Sequence, residues 1–276
     1  MNYGEAKMND ILESNGRLSL IAGPCALESL ENAMSIAKEL KSVSEKLDIN
    51  YVFKVSVDKA NRTSATNYRG LGFEEGIDVL RKVKHEAGVR VATDIHEPWQ
   101  AEKMAEVADI IQIPAFLCRQ TDLLAAAAKT QKIINVKKAQ FMSPEEMGRV
   151  AEKLRYFGND KLLLCERGNA FGYNNLVVDM TGLVRLKKHG YPVVFDATHS
   201  VQISGGGLEL SNSGASEYAP SLAKAALATG AVDALFIETH NDPQNALCDG
   251  SCMIKLSMME SLLKKCKEIF ALCKEA

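Results

Sequence analysis

The 276-residue chain predicts a single (β/α)8 barrel over residues 1–276, with residues 1–17 as a short N-terminal extension. Three observations carry this. Short β-branched apolar runs alternate with amphipathic helical patterns eight times, no linker interrupts them, and charged residues gather just past the C-terminal ends of the runs. Such alternation gives parallel strands joined by right-handed crossovers, and eight units close most simply into a barrel. A doubly wound open sheet is the alternative, disfavoured because no Gly-x-Gly-x-x-Gly turn follows the first run.

Taken in order, Leu18–Gly23 is a strand stopped by Gly23-Pro24, and Ser29 caps a helix with Leu30, Met34, Ala37, Leu40 and Leu47 at helical spacing. Tyr51–Val57 leads to a helix marked by Phe73, Ile77, Leu80 and Val83 that Gly88 ends. Val91–Ile95 leads to a helix carrying Trp99, Met104 and Val107, and Ile110–Ile113 to one from Gln120 to Lys129. Ile133–Val136 precedes a helix with Met147, Val150, Leu154 and Phe157, and Leu162–Cys165 reaches through a loop to a helix ending near Gly190. Val193–Phe195 passes through a Gly/Ser-rich segment to a helix from Ala219 to Gly230. Ala234–Ile237 leads to the last helix, with Leu256, Met259, Leu263, Cys266 and Phe270.

Composition narrows the partners. A net charge of −2 gives no global attraction to nucleic acid or an anionic membrane, so any anion site has to be local. No apolar stretch approaches the roughly 20 residues of a membrane span, and the N-terminus is polar where a secretory signal needs an apolar core. These features predict a cytoplasmic location. Seven scattered cysteines predict reduced, mostly packed thiols rather than a disulfide framework.

In a barrel of this kind the C-terminal strand ends face one pocket. Here they carry Cys25 and Glu28, Lys54 and Lys59, Asp94 and His96, Gln112, Phe116 and Arg119, Lys137 and Lys138, Glu166 and Arg167, Asp196 and His199, and Glu238, His240 and Asp249. The cations Lys54, Lys59, Arg62, Lys137 and Arg167, with Arg119, would repel one another in a shared pocket unless a ligand brought several negative charges. They predict a polyanionic substrate, with one of them expected to pair with Glu166 or Glu97 instead. Thiol, imidazole and carboxylates at Cys25, His199, Glu238 and Asp249 come from neighbouring strands of a closed barrel and form a donor set suited to Zn²⁺, Fe²⁺ or Mn²⁺. His96 and His240 carry no assignable role. The segment 202–217 reads as a lid over the pocket.

The blocks IAGPCALES, FKVSVDKANRTS, TDIHEP, IQIPAFLCRQTDL, NVKKAQFMSP, CERGNAFGYNNLVVDM, FDATHSVQ and IETHNDPQNALCDG resemble, in order and in register, the 3-deoxy-D-manno-octulosonate 8-phosphate synthase family. The resemblance implies condensation of phosphoenolpyruvate with D-arabinose 5-phosphate and water, releasing phosphate by C–O cleavage of a tetrahedral phosphohemiketal. The related barrel enzymes that use erythrose 4-phosphate to make 3-deoxy-D-arabino-heptulosonate 7-phosphate are the alternative. They typically read Lys-Pro-Arg-Thr where this chain reads Lys59-Ala-Asn-Arg-Thr.

The resemblance also implies roles. Lys59, Lys137, Arg167 and the amide of Ala115 would hold phosphoenolpyruvate, with Lys54 near its reacting end. Asn61, Arg62 and Thr63 would bind the sugar phosphate, Asp94 and Phe116 would line its channel, and Arg119 would reach a neighbouring subunit's site in a homotetramer. Cys25 belongs to the metal-dependent branch, implying one divalent metal (Zn, Fe or Mn) held by Cys25, His199, Glu238 and Asp249, and no organic cofactor. His199, Lys54, Asp249 and Cys25 would be the catalytic groups. Cys248-Asp249-Gly250 departs from that branch, being more usual in the metal-independent one. Two other classes stand beside this reading: a non-catalytic sugar-phosphate-binding barrel, and an aldolase using Lys54 or Lys137 as a Schiff base.

Overall fold

A computed structural model describes residues 16–62, 64–173, 176–202 and 215–274. The predicted extension therefore lies almost wholly outside the described residues, as do Thr63 and most of the predicted lid, residues 203–214.

Eight parallel strands close on themselves: β1 (Ser19–Gly23), β2 (Asn50–Lys54), β3 (Arg90–Asp94), β4 (Ile110–Ile113), β5 (Ile133–Lys137), β6 (Leu162–Glu166), β7 (Val193–Asp196) and β8 (Ala234–His240). Each pairs with the next, and β8 returns to β1 with Ala234 opposite Ser19 and Glu238 opposite Gly23. Helices α1 (Leu30–Leu47), α2 (Phe73–Ala87), α3 (Gln100–Ala105), α4 (Thr121–Lys129), α5 (Met147–Tyr156), α6 (Met180–Lys187), α7 (Ala219–Ala228) and α8 (Met259–Lys274) follow the strands in turn. The (β/α)8 barrel is confirmed, and the open sheet is set aside by the β8–β1 pairing.

Strand alternation divides the core in two. Outward residues such as Leu20, Phe53, Val91, Ile111, Ile134, Leu164, Phe195 and Leu235 pack under the helices. Inward residues Ile21, Val52, Ala92, Ile110, Ile133, Leu163, Val194, Ala234 and Phe236 fill the barrel floor. Two residues further along several of the same strands, the inward positions become Lys54, Asp94, Gln112, Asn135, Asp196 and Glu238, all buried.

Caps form where predicted. Ser29 Oγ accepts from the Asn32 amide at 3.1 Å. Helix α2 ends at Gly88, whose φ of 60° is the left-handed C-terminal conformation that glycine adopts without strain. At Gly23, the inward position that tops β1, a Cβ would come 2.0 Å from the Lys54 carbonyl oxygen, so only glycine lets β1 and β2 approach there.

Some boundaries differ from the sequence reading. Helix α3 is only six residues, excluding Trp99 and Val107. Its end gives way to Asp109, whose carboxylate accepts from the Val91 amide at 2.9 Å and from Lys84 at 2.8 Å. Strand β8 continues to His240, because its last residues gain a further parallel partner at Ile254–Lys255. After β6 the chain makes a small antiparallel pairing of Asn169–Ala170 with Leu176–Val177. Among the described residues, no helix is long and apolar enough to cross a membrane.

Candidate active site

The predicted cations converge at the C-terminal mouth of the barrel, but with partners the sequence did not reveal. Lys54 Nζ lies 3.3 Å from Glu238 Oε1 and 2.9 Å from Ser56 Oγ, and Lys59 Nζ lies 3.5 Å from the same carboxylate oxygen. Lys137 is ion-paired with Asp196 and lies 3.6 Å above the centroid of the Phe236 ring, whose face favours a cation. Arg62 donates to Asp249 Oδ1 at 3.0 Å. Thus the expected pairing of a site cation with Glu166 or Glu97 is corrected. Glu166 pairs with Lys138 instead, at 3.4 Å, and the site cations use Glu238 and Asp196, which face into the barrel mouth, and Asp249 from the loop after β8.

Arg167 differs from these. Its Nη2 donates to Gln202 Oε1 at 2.7 Å, while its Nη1 is buried with no hydrogen-bond partner among the described residues. Burial disfavours its cationic form and lowers its pKa, against the pull of nearby Asp196. A buried guanidinium with a free donor is suited to an incoming phosphate or carboxylate.

The buried carboxylates are held ionised by these cations. Burial by itself raises the Asp94 pKa, but the hydrogen bond with His96 and the charges of Lys54 and Lys59 outweigh it and hold the group well below the usual carboxylate range. For Glu238, burial is likewise outweighed, by His199, Lys59, Lys54 and Lys137. Asp196 is lowered against burial by His199 and Lys137. Lys59 shows the converse: burial would lower it, yet the anionic groups around it, including Glu238 and Asp94, raise it well above the ordinary lysine value.

The four predicted metal ligands do come together, in two overlapping triads rather than one quartet. His199, Glu238 and Asp249 form one, and Cys25, Cys248 and Asp249 the other; within each, the donor atoms all lie within 4.8 Å of one another. His199 Nδ1 is 2.8 Å from Asp196 Oδ2. An ionised carboxylate can only accept, so Nδ1 donates in this contact, while Nε2 faces Glu238 Oε2, 3.4 Å away. Glu238 Oε2 is buried without a hydrogen-bond partner among the described residues. Soft sulfur, imidazole and hard carboxylate together fit a divalent transition metal, and the unpartnered Glu238 oxygen fits one as well.

Of the remaining predicted residues, Ala115 begins a 3-10 turn after β4, a position whose amide has no acceptor within the turn. Phe116 and Arg119 are exposed on the same rim, and Asn61 is exposed beside Arg62. Sequence reasoning assigned no part to Cys248, whose sulfur lies 2.8 Å from that of Cys25, and placed Gln202 only at the start of the predicted lid, not against Arg167. The signal for Cys248 was its position next to Asp249. The role of His240 was also missed: it lies 3.4 Å from Glu28 Oε2, and Glu28 Oε1 in turn accepts from the Leu247 amide at 2.9 Å, tying the β1 loop to the loop that bears Cys248 and Asp249.

The model of the DAHP synthetase I family matches residues 5–275. A 2-dehydro-3-deoxyphosphooctonate aldolase of Stutzerimonas stutzeri is 52% identical over 92% of this chain and 90% of its own length. One of Fusobacterium nucleatum is 50% identical over 95% of this chain and 93% of its own, and one of Azotobacter vinelandii 49% identical over 100% and 98%. The chain belongs to the DAHP synthetase I family and, within it, groups with the 2-dehydro-3-deoxyphosphooctonate aldolases, the 3-deoxy-D-manno-octulosonate 8-phosphate synthases that its motifs resemble.

Proposed function

We propose that the protein condenses phosphoenolpyruvate with D-arabinose 5-phosphate and water to give 3-deoxy-D-manno-octulosonate 8-phosphate and phosphate. The observation that carries this is the buried cation cluster around Phe236, with Arg167 Nη1 lacking a hydrogen-bond partner among the described residues, in a chain alike over its whole length to a 2-dehydro-3-deoxyphosphooctonate aldolase. The names of those relatives do not favour the erythrose 4-phosphate alternative. The reaction is placed in the cytoplasm.

Lys59, Lys137 and Arg167, with the Ala115 amide, bind the phosphate and carboxylate of phosphoenolpyruvate. Their positive charges, balanced by Glu238 and Asp196 when the site is free of ligand, are then shared with it. Asn61, Arg62 and Thr63 bind the sugar phosphate, and Asp94 and Phe116 line the channel to it. Arg119, exposed on the rim, completes the site of a neighbouring subunit in a homotetramer.

C3 of phosphoenolpyruvate attacks the aldehyde carbon while water adds to C2, and the resulting phosphohemiketal loses phosphate by C–O cleavage. Lys54, fixed by Ser56 and Glu238, lies beside the reacting end and donates a proton to the aldehyde oxygen as it becomes a hydroxyl. The surrounding cations offset the negative charge of the intermediate in a water-poor site. Cys25, His199, Glu238 and Asp249 would hold one divalent ion, Zn, Fe or Mn, which when bound polarises the aldehyde or the water. Asp196 keeps the His199 ring oriented with Nε2 toward that donor set.

The test is phosphate release from phosphoenolpyruvate with each aldose phosphate in turn. Release that requires arabinose 5-phosphate is expected. Equal or faster release with erythrose 4-phosphate would overturn the assignment.

A further inference from the structure

Cys25, just past β1, and Cys248, in the loop after β8, are 223 residues apart in sequence, yet their sulfurs approach to 2.8 Å. That is between an ordinary sulfur contact and a disulfide bond of about 2.05 Å. The approach is specific. Among the other cysteines, Cys118 faces the Met142 sulfur, Cys165 the Glu166 carbonyl and Cys273 the Ala228 carbonyl.

Both sulfurs are held in place from several sides. The Ser56 amide donates to the Cys25 carbonyl at 3.3 Å, and Arg62 Nη1 donates to Cys248 Sγ at 2.9 Å. Glu28, three positions beyond Cys25, accepts from the Leu247 amide next to Cys248. Asp249, at φ 46°, turns the chain through the left-handed region just after Cys248. Cys25 accordingly groups with Cys248 and Asp249, not directly with His199 and Glu238. Its sulfur has two destinations, the metal donor set and a second thiol.

We propose that Cys25 and Cys248 form a reversible thiol–disulfide pair, oxidised by a hydroperoxide, and that the bond withdraws Cys25 from the metal donor set. The bond stands on the thiol geometry alone; only its consequence for metal uptake rests on the proposed function. With hydrogen peroxide, one sulfur attacks a peroxide oxygen, the O–O bond breaks, and water leaves a sulfenic acid behind. The second sulfur attacks the first, the S–S bond forms as the S–O bond breaks, and a second water leaves with the remaining thiol proton. The two sulfurs lose two electrons and the peroxide gains them. A dithiol reverses the change. Metal already bound through Cys25 protects the pair by occupying that sulfur.

The experiment treats metal-stripped full-length protein with hydrogen peroxide and counts free thiols in denaturant. It then maps peptides by mass spectrometry without reduction and measures zinc uptake. The expected result is loss of two of the seven titratable thiols, a Cys25–Cys248 linked peptide, and loss of zinc uptake, all restored by dithiothreitol. Zinc loaded beforehand suppresses the link, and Cys248→Ser gives none. Thiols that stay free, or that oxidise singly without a linked peptide, overturn the proposal. A linked peptide from protein that takes up no zinc even when reduced supports the thiol pair and contradicts the metal reading of the active site.

Discussion

The floor and the mouth of the barrel are made by the same strands or the turns that end them, two to four residues apart, and are opposite in chemistry. The floor is Ile21, Val52, Ala92, Ile110, Ile133 and Leu163; the mouth is Lys54, Asp94, Lys137, Arg167, Asp196 and Glu238. Both layers are buried, so exposure does not distinguish them. The floor gains stability from every apolar atom removed from water. The mouth takes ions out of water, and buried ion pairs are often no more stabilising than well-packed apolar side chains of the same volume. Phe236 marks the border, with its ring below the Lys137 ammonium. On the proposed function, charge above this border serves binding and chemistry, while apolar volume below it serves folding.

The largest effect expected from breaking the comparison is at Lys59. Replacing it as Lys59→Met removes one cation while leaving Glu238 paired with Lys54. Phosphate release should then fall in kcat/KM by about 10³-fold or more, with the unfolding temperature kept or raised. Below the border the pattern reverses. Leu163→Ala should cost about 2–5 kcal/mol in denaturant unfolding, while kcat/KM per folded molecule stays within about threefold of wild type because the site is untouched.

Acid sharpens the distinction further. The folded-state pKa of Asp94 is depressed, so its ionised form contributes stability above the unfolded carboxylate value of about 3.9. That contribution is lost as pH falls below this value toward the folded pKa. The stability difference between wild type and Asp94→Asn, measured by urea unfolding, should be largest near neutral pH and should shrink below about pH 4. The smallest effect is expected far from both layers. Lys46 and Glu260 pair on the surface, and Glu260→Gln should change stability by less than about 1 kcal/mol.

The sequence made legible whatever depends on local period. The strand runs, the Ser29 and Gly88 caps and the charged strand ends were all readable, because alternation, capping and strand order need only near neighbours. Pairings across the barrel were not. Lys54 and Lys59 meet Glu238 from 184 and 179 residues away, and nothing local to either lysine names that carboxylate over Glu166 or Glu97. The short α3 was missed because Trp99 and Val107 fit a helical period, whereas the anchoring of Asp109 to β3 decides the boundary. Cys248 was recognised as part of a motif but not as a neighbour of Cys25, since its direction is set by the left-handed turn at Asp249 and the grip of Arg62.

The central claim is that the buried charges of the mouth are a binding surface for phosphorylated anions. Thermal unfolding with and without phosphoenolpyruvate tests it most directly. A ligand that binds only the folded state adds about 2.7 kcal/mol at one hundred times its Kd. Wild-type protein should therefore melt several degrees higher with saturating phosphoenolpyruvate, and Lys59→Met should show little or no rise at the same concentration. No rise in wild type, or an equal rise in both, would contradict the account.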